Sequence, residues 1–136
     1  MNKFIAVVLV CVSLIGVIGC KQSSQQAPGN QLLAEGNVVK IDVSSLPELY
    51  NYSFSGKDIN EIIDYLSTLS LESEFEEDPN TYTGLTWVIA LEYEDGDALK
   101  IYHFGNKFIR SGDGPWYKMT YEQASRLETL FDELGK

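Results

Sequence analysis

Two alternating runs separated by a turn signal, residues 85–104, constrain the fold of this chain more than any other feature. From Leu85 to Tyr93 every second side chain is large and apolar, which is the period of a strand that buries one face. Asp95-Gly96 follows, a dipeptide typical of hairpin turns, and a second alternating run continues to Phe104. The segment therefore predicts a β-hairpin and, with it, an antiparallel sheet.

The register of this hairpin can be predicted from its apolar side chains. A three-residue loop at Asp95–Asp97 places apolar residues opposite one another, in the pairs Tyr93–Leu99, Leu91–Ile101 and Ile89–His103. The same register places Glu92 opposite Lys100 on the other face. A two-residue loop would slip the strands by one residue and exchange the faces, so we predict the three-residue loop.

Two segments carry the 3.6-residue apolar period of amphipathic helices. The first extends from about Gly56 to Leu69, and Ser55 with Asp58 forms the pattern of a capping box at its start. The second follows Thr120 and Gln123, which form another capping box. Its apolar stripe consists of Ala124, Leu127, Leu130, Phe131 and Leu134.

Shorter alternating runs at 39–43, 50–54, 71–76, 108–111 and 116–119 complete the pattern. This order predicts an α+β fold: an antiparallel β-sheet meander of about five to seven strands, with two amphipathic helices packed on one face. We expect the sheet to contribute Trp87, Ile89, Leu91, Leu99 and Ile101 to the core. The helices are expected to contribute Ile59, Ile62, Ile63, Leu66, Leu127 and Phe131.

Residues 1–20 combine a basic start with a short apolar run that ends at a cysteine. The run from Phe4 to Ile18 is shorter than the roughly 20 residues of a bilayer-spanning helix. The segment Val17-Ile18-Gly19-Cys20 resembles the lipobox of bacterial lipoproteins, where a peptidase cuts before the cysteine and lipid is attached to its sulfur. A plain secretory signal and an uncleaved anchor are the alternatives. We predict lipidation at Cys20, which leaves the exported domain without a free thiol because Cys11 is removed with the signal.

The domain organisation follows from this segment. We predict a lipoprotein signal peptide over 1–19, the lipidated cysteine and a flexible tether over 20–36, and a single α+β domain over 37–136. Small polar residues, proline and glycine between 21 and 30 indicate the tether. The expected location is the extracytoplasmic face of the cell membrane, held by lipid on Cys20. In a cell with two membranes, Lys21 after the cysteine favours the outer membrane.

Five features follow one another along the chain. They are the lipobox, VVKIDV at 38–43, SGKDINEIIDYLSTL at 55–69, an acidic tract, and strands that end at Tyr117 before a terminal helix. Together they resemble small lipoproteins of firmicutes and the extracytoplasmic domains attached to sensor-like membrane proteins. The resemblance covers about residues 37–134. It implies the fold and the location, and it carries no catalytic residue over to this chain.

The charge and the residue content of the chain limit the partners, metals and cofactors that it can bind. The formal net charge of −10 argues against a nucleic-acid partner, because phosphates require a cationic surface. We interpret His103, the one histidine of the sequence, as a hydrogen-bonded residue at the edge of the core. Acidic residues cluster at 72–78 and 92–97 and are interpreted as solvated. Asp78, Asn80 and Tyr82 imitate the start of a calcium loop, but Thr83 stands where that loop needs glycine. We expect no metal and no cofactor.

Aromatic residues in the second strand of the hairpin and in the segments after it indicate a binding surface. Side chains 102 and 104 point away from the core face in the predicted register, and the next strands continue the pattern. Aromatic rings beside an arginine are typical of binding surfaces. The alternative is that loops or residues 46–54 cover them. The candidate partner-binding residues are Tyr102, Phe104, Phe108, Arg110 and Trp116.

The predicted function is a membrane-anchored extracytoplasmic lipoprotein that acts as a non-enzymatic binding or interaction module for an envelope protein or a ligand. One alternative is an envelope hydrolase that uses His103 or paired carboxylates. Another is a structural or inhibitory envelope lipoprotein. A contiguous exposed patch around Tyr102 and Phe104 would favour the binding module, whereas a concave pocket with converging polar groups would favour an enzyme. No catalytic residue is predicted.

Overall fold

The computed structural model describes residues 26–136. Its strands are β1 Gln26–Pro28, β2 Val38–Leu46, β3 Asn51–Phe54, β4 Ser70–Glu72, β5 Thr86–Tyr93, β6 Ala98–Phe104, β7 Phe108–Ser111 and β8 Tyr117–Lys118. Its helices are α1 Lys57–Thr68 and α2 Tyr121–Leu134, with single 3-10 turns at Gly29–Leu32 and Pro79–Thr81. The signal peptide predicted over 1–19, and Cys20, lie outside the described residues.

The strands form one antiparallel sheet in the order β1-β4-β8-β7-β6-β5-β2-β3. Both helices pack their apolar stripes against the same core. The α+β fold is therefore as predicted, with eight strands instead of five to seven. Neither helix between residues 26 and 136 has the length and hydropathy needed to cross a bilayer.

The additional strand is β1, which lies in the segment predicted to be tether. Residues 26–28 pair with β4, and the side chains of Ala27 and Leu32 are buried in the core. Gly29 packs so closely on α1 that a Cβ atom there would lie 1.9 Å from the carbonyl oxygen of Leu66. The predicted boundary at residue 37 is therefore wrong, because two apolar side chains find partners that are distant in the sequence.

Gly96 decides the register of the central hairpin. Leu91 pairs with Leu99, and the amide of Tyr93 donates to the carbonyl of Asp97 at 2.8 Å. The loop is therefore 94–96, and the predicted pairing, including Glu92 opposite Lys100, is wrong by two residues. Gly96 has a φ of +91°, which glycine adopts without strain, and three-residue hairpin loops place such a residue last. Because the shift is two residues, each side chain keeps its predicted face.

The predicted core is confirmed on both sides. Trp87, Ile89, Leu91 and Ile101 are buried against Ile59, Ile62, Leu66, Leu127 and Phe131, while Leu99 and Ile63 are partly buried at its margin. The start of α1 differs from the prediction, since Gly56 is the N-cap and no side chain caps the helix. The capping box of Thr120 and Gln123 is present at the start of α2.

Candidate functional site

The face of the sheet opposite the helices carries the predicted binding residues. Ile101 and His103 of β6 point into the core, so Tyr102 and Phe104 between them point to the other face. The antiparallel register sets Arg110 opposite Tyr102 and Phe108 opposite Phe104. The strands therefore bring four of the five predicted residues together, and Trp116 joins them from the segment before β8.

Phe108 lies beneath a covering segment and is not part of the exposed surface. Its side chain is 0% exposed, and its ring centroid lies 5.5 Å from that of Phe75, 5.2 Å from Tyr82 and 6.4 Å from Trp116. The prediction of Phe108 as a partner-binding residue is therefore wrong. The cover is the loop over 73–85, not residues 46–54, because that loop carries the two aromatic rings that pack on Phe108.

An ion pair holds this loop on the sheet. The ammonium of Lys118 in β8 donates to Glu77 Oε1 at 2.6 Å, and Lys118 is the cross-strand neighbour of Phe108. The hydrogen bond from Lys118 lowers the pKa of the Glu77 carboxyl, and the same bond raises the pKa of Lys118. The Lys107 ammonium adds a second contact, 4.7 Å above the ring of Tyr82.

Arg110 lies at the centre of the part of this sheet face that the loop over 73–85 leaves uncovered. Its guanidinium carbon lies 4.6 Å from the centroid of the Trp116 ring and 5.6 Å from that of Tyr102. Its Nε is buried and has no hydrogen-bond partner. Within residues 26–136, the ion pairs of this protein join other cations, and none includes Arg110. Two aromatic rings therefore hold the Arg110 guanidinium, which forms no ion pair with a carboxylate of residues 26–136.

This arrangement is suited to recognising an anion with a planar polar group. A guanidinium presents donors in a fixed fork that matches a carboxylate, and stacking on aromatic rings keeps that fork oriented. Phe104 contacts Trp116, with centroids 6.5 Å apart, and half-buried Val88 and Ala90 extend the apolar surface across β5. Tyr102, Phe104, Arg110 and Trp116 are all half-buried, so each offers part of its side chain to a partner.

No family model, no curated protein and no solved structure matches this chain.

His103, the residue of the hydrolase alternative, is enclosed by the protein. Its side chain is 0% exposed, its Nδ1 lies 3.1 Å from the carbonyl oxygen of Phe108, and its Nε2 lies 3.3 Å from Glu128 Oε1. Both ring nitrogens therefore face protein atoms, and a substrate in solvent has no direct path to them.

Glu128 was missed in the sequence analysis, although the sequence contains a signal for it. Positions 124, 127, 128 and 131 follow the i, i+3, i+4, i+7 spacing of a buried helix face, and Glu128 is the one charged residue among them. A carboxylate on such a face needs a polar partner inside the fold. His103 Nε2 lies 3.3 Å from Glu128 Oε1 inside the fold, although neither atom makes a hydrogen bond.

The acidic clusters use several of their oxygens within their own turns. Asp78 accepts from the amide of Asn80 at 2.9 Å, and Asp95 accepts from the amide of Asp97 at 2.9 Å. In the part of the chain from 26 onwards, no group of three or more histidine, cysteine, aspartate or glutamate side chains is arranged to hold a metal ion.

Proposed function

We propose that this protein is a lipid-anchored, extracytoplasmic binding module that captures a partner through the open sheet face centred on Arg110. The observation that supports the proposal most is the guanidinium itself. It is fixed between Trp116 and Tyr102, its Nε is buried without a hydrogen bond, and no carboxylate of residues 26–136 pairs with it. A buried donor without a partner is costly to a folded protein, so a role in binding is the simplest reason to retain it.

The chemistry of the surface indicates the class of partner. The guanidinium selects a carboxylate, and the rings of Phe104 and Trp116 with Val88 and Ala90 favour an apolar side chain next to it. The proposed partner is a protein segment that presents an aspartate, a glutamate or a C-terminal carboxylate beside an aliphatic or aromatic residue. Because the net charge of the chain is strongly negative, recognition of an acidic partner depends on the few cations of this face, with Arg110 at its centre and Lys100 on the same face of β6.

The proposed anchor is the lipid on Cys20. Acyl chains attached there would hold the domain on the outer face of a membrane, since two or more chains bind a bilayer almost irreversibly. The first described strand begins at Gln26, and five residues between it and Cys20 could span at most about 20 Å. A module tethered this closely would meet partners that are themselves at the membrane surface, such as other envelope proteins.

Two acetylated tripeptide amides, Leu-Glu-Leu and Leu-Gln-Leu, test this function. We expect the glutamate peptide to shift the Nε–H resonance of Arg110 in a proton–nitrogen NMR titration, and the glutamine peptide to have little effect. Arg110→Ala should abolish the binding. Arg126→Ala is the matched control, because Arg126 is the other arginine of the chain and pairs with Glu133 on the outer side of α2. Equal binding of both peptides, or equal loss with both variants, would refute the proposal.

A further inference from the structure

A second surface, on the helix side of the sheet, begins at the loop between β2 and β3. Two adjacent large apolar residues of this loop are exposed, Leu49 by 69% and Tyr50 by 46%. A soluble domain normally shows such side chains singly, so two side by side form a patch that needs an explanation.

The loop is held rigid by one buried hydroxyl. Ser45 Oγ donates to the carbonyl oxygen of Pro47 at 2.8 Å and accepts from the amides of Leu49 and Tyr50, each at 2.9 Å. Ser45 itself is fully buried. The apolar side chains are therefore presented in a fixed arrangement, which lowers the entropy that a partner must remove on binding.

The patch continues into a cleft of about 430 Å³ between β3 and α2. The ring of Tyr50 stacks on Trp87 at 5.2 Å and on Tyr52 at 6.5 Å, and these aromatic residues form one wall. The opposite wall comes from α2, and its charged residues are Glu128 and Asp132. The aromatic side chains on one side of the cleft therefore face two carboxylates on the other side.

Polar atoms at the cleft lack hydrogen bonds. Trp87 is 5% exposed, and its indole Nε1 is buried without a hydrogen-bond partner. Glu128 Oε1 is also buried without a hydrogen bond and faces His103 Nε2 at 3.3 Å, on the inner side of the helix. The ion pair between Lys136 and Asp132, at 3.0 Å, already neutralises one of the two carboxylates. No lysine or arginine between residues 26 and 136 pairs with Glu128, which has the imidazole of His103 as a neighbour.

We propose that this loop and cleft bind a basic, apolar segment of another protein. Its apolar side chains would pack on Leu49, and a lysine or arginine would lie over the rings of Tyr50 and Tyr52 with its charge toward Glu128. Aromatic faces and a carboxylate both attract a cation, and the chain's net charge of −10 attracts a basic segment from a distance. The site shares no residue with the Arg110 surface and has the opposite charge preference, so each proposal can fail without the other.

The test uses Trp87 as an internal reporter. The chain has two tryptophans, so Trp116→Phe leaves the fluorescence of Trp87 alone. In this background we expect the acetylated peptide amide Leu-Lys-Leu-Arg to change the emission of Trp87 saturably, and the neutral peptide Leu-Gln-Leu-Gln to bind at least about tenfold more weakly. Added salt should weaken the binding of the basic peptide.

Variants separate the contributions of charge and of apolar contact. Glu128→Gln and Leu49→Ser should each weaken the basic peptide about tenfold, whereas Glu133→Gln, on the same helix but outside the cleft, should not. If Glu128→Gln fails to fold, Leu49→Ser and Tyr50→Ala still decide the outcome, because both side chains are exposed. Equal affinity for the two peptides, or unchanged affinity in Leu49→Ser and Tyr50→Ala, would overturn the proposal.

Discussion

His103 Nε2 lies 3.3 Å from Glu128 Oε1, and this contact joins strand β6 to helix α2 inside the protein. The other ring nitrogen, Nδ1, lies 3.1 Å from the carbonyl oxygen of Phe108 and must donate, because a carbonyl only accepts. The pair is a structural link and leaves neither ring nitrogen free for a substrate.

The first prediction follows from this link. Glu128→Leu should lower the free energy of unfolding by about 1–3 kcal/mol, because it leaves Nε2 of His103 buried without a polar neighbour. Glu128→Gln should cost less, since its amide group can donate to that nitrogen. Urea denaturation of both variants measures the difference, with Glu133→Gln as a control on the same helix. Identical losses for leucine and glutamine would mean that His103 does not depend on Glu128.

The second prediction concerns the N-terminal strand. Gly29→Ala should destabilise the protein by on the order of 3 kcal/mol, because the new Cβ would clash with the carbonyl of Leu66 and the side chain of Leu69. Asn30→Ala, at the exposed neighbouring position, should change stability little. Thermal unfolding of the two variants is the measurement. If both behave like the unsubstituted chain, residues 26–32 are tether after all.

The third prediction is a pH dependence from the Glu77–Lys118 pair. The lowered pKa of Glu77 means that its contribution to stability is present above the ordinary range of a glutamate and is lost as the pH falls through the lowered value. At a pH below the lowered pKa of Glu77, the loop over 73–85 should loosen from Phe108. Hydrogen exchange of the Phe108 region between about pH 7 and pH 3 follows this change.

A matched pair of variants isolates this effect. In Glu77→Gln, hydrogen exchange of the Phe108 region should increase less on acidification than in the unsubstituted protein, because the glutamine amide does not titrate. Glu76→Gln serves as the control, because Lys118 bonds to Glu77 and not to this neighbouring carboxylate. If Glu77→Gln keeps the full increase in exchange at low pH, other carboxylates cause that increase.

The fourth prediction concerns Cys20. Intact-mass spectrometry of the membrane-extracted protein should show an acyl adduct on an N-terminal Cys20, because the preceding residues resemble a lipobox. Cys20→Ser should accumulate as the unlipidated precursor. An N-terminus at another residue, or Cys20 without lipid, would leave the plain secretory signal or the uncleaved anchor as the explanation.

Local patterns in the sequence were enough to predict the helices, most strands and the face on which each side chain lies. The alternation around Leu91 identifies the buried side of β5, and the capping box at Thr120 locates the start of α2. Such features depend on residues that are near one another in the chain, because the periods of 2 and 3.6 belong to single elements. They remained correct even where the pairing of β5 with β6 was shifted.

What the sequence did not reveal depends on contacts between distant residues. Ala27 is buried because β4 lies beside it, Phe108 is covered because the loop over 73–85 crosses it, and His103 is paired because α2 brings Glu128 to it. The sequence by itself determined both helices, the strands after residue 37 and the faces of the central hairpin. Only the tertiary structure decided which of those side chains are covered and which polar atoms have partners, because burial and pairing are properties of neighbours that the chain order does not specify.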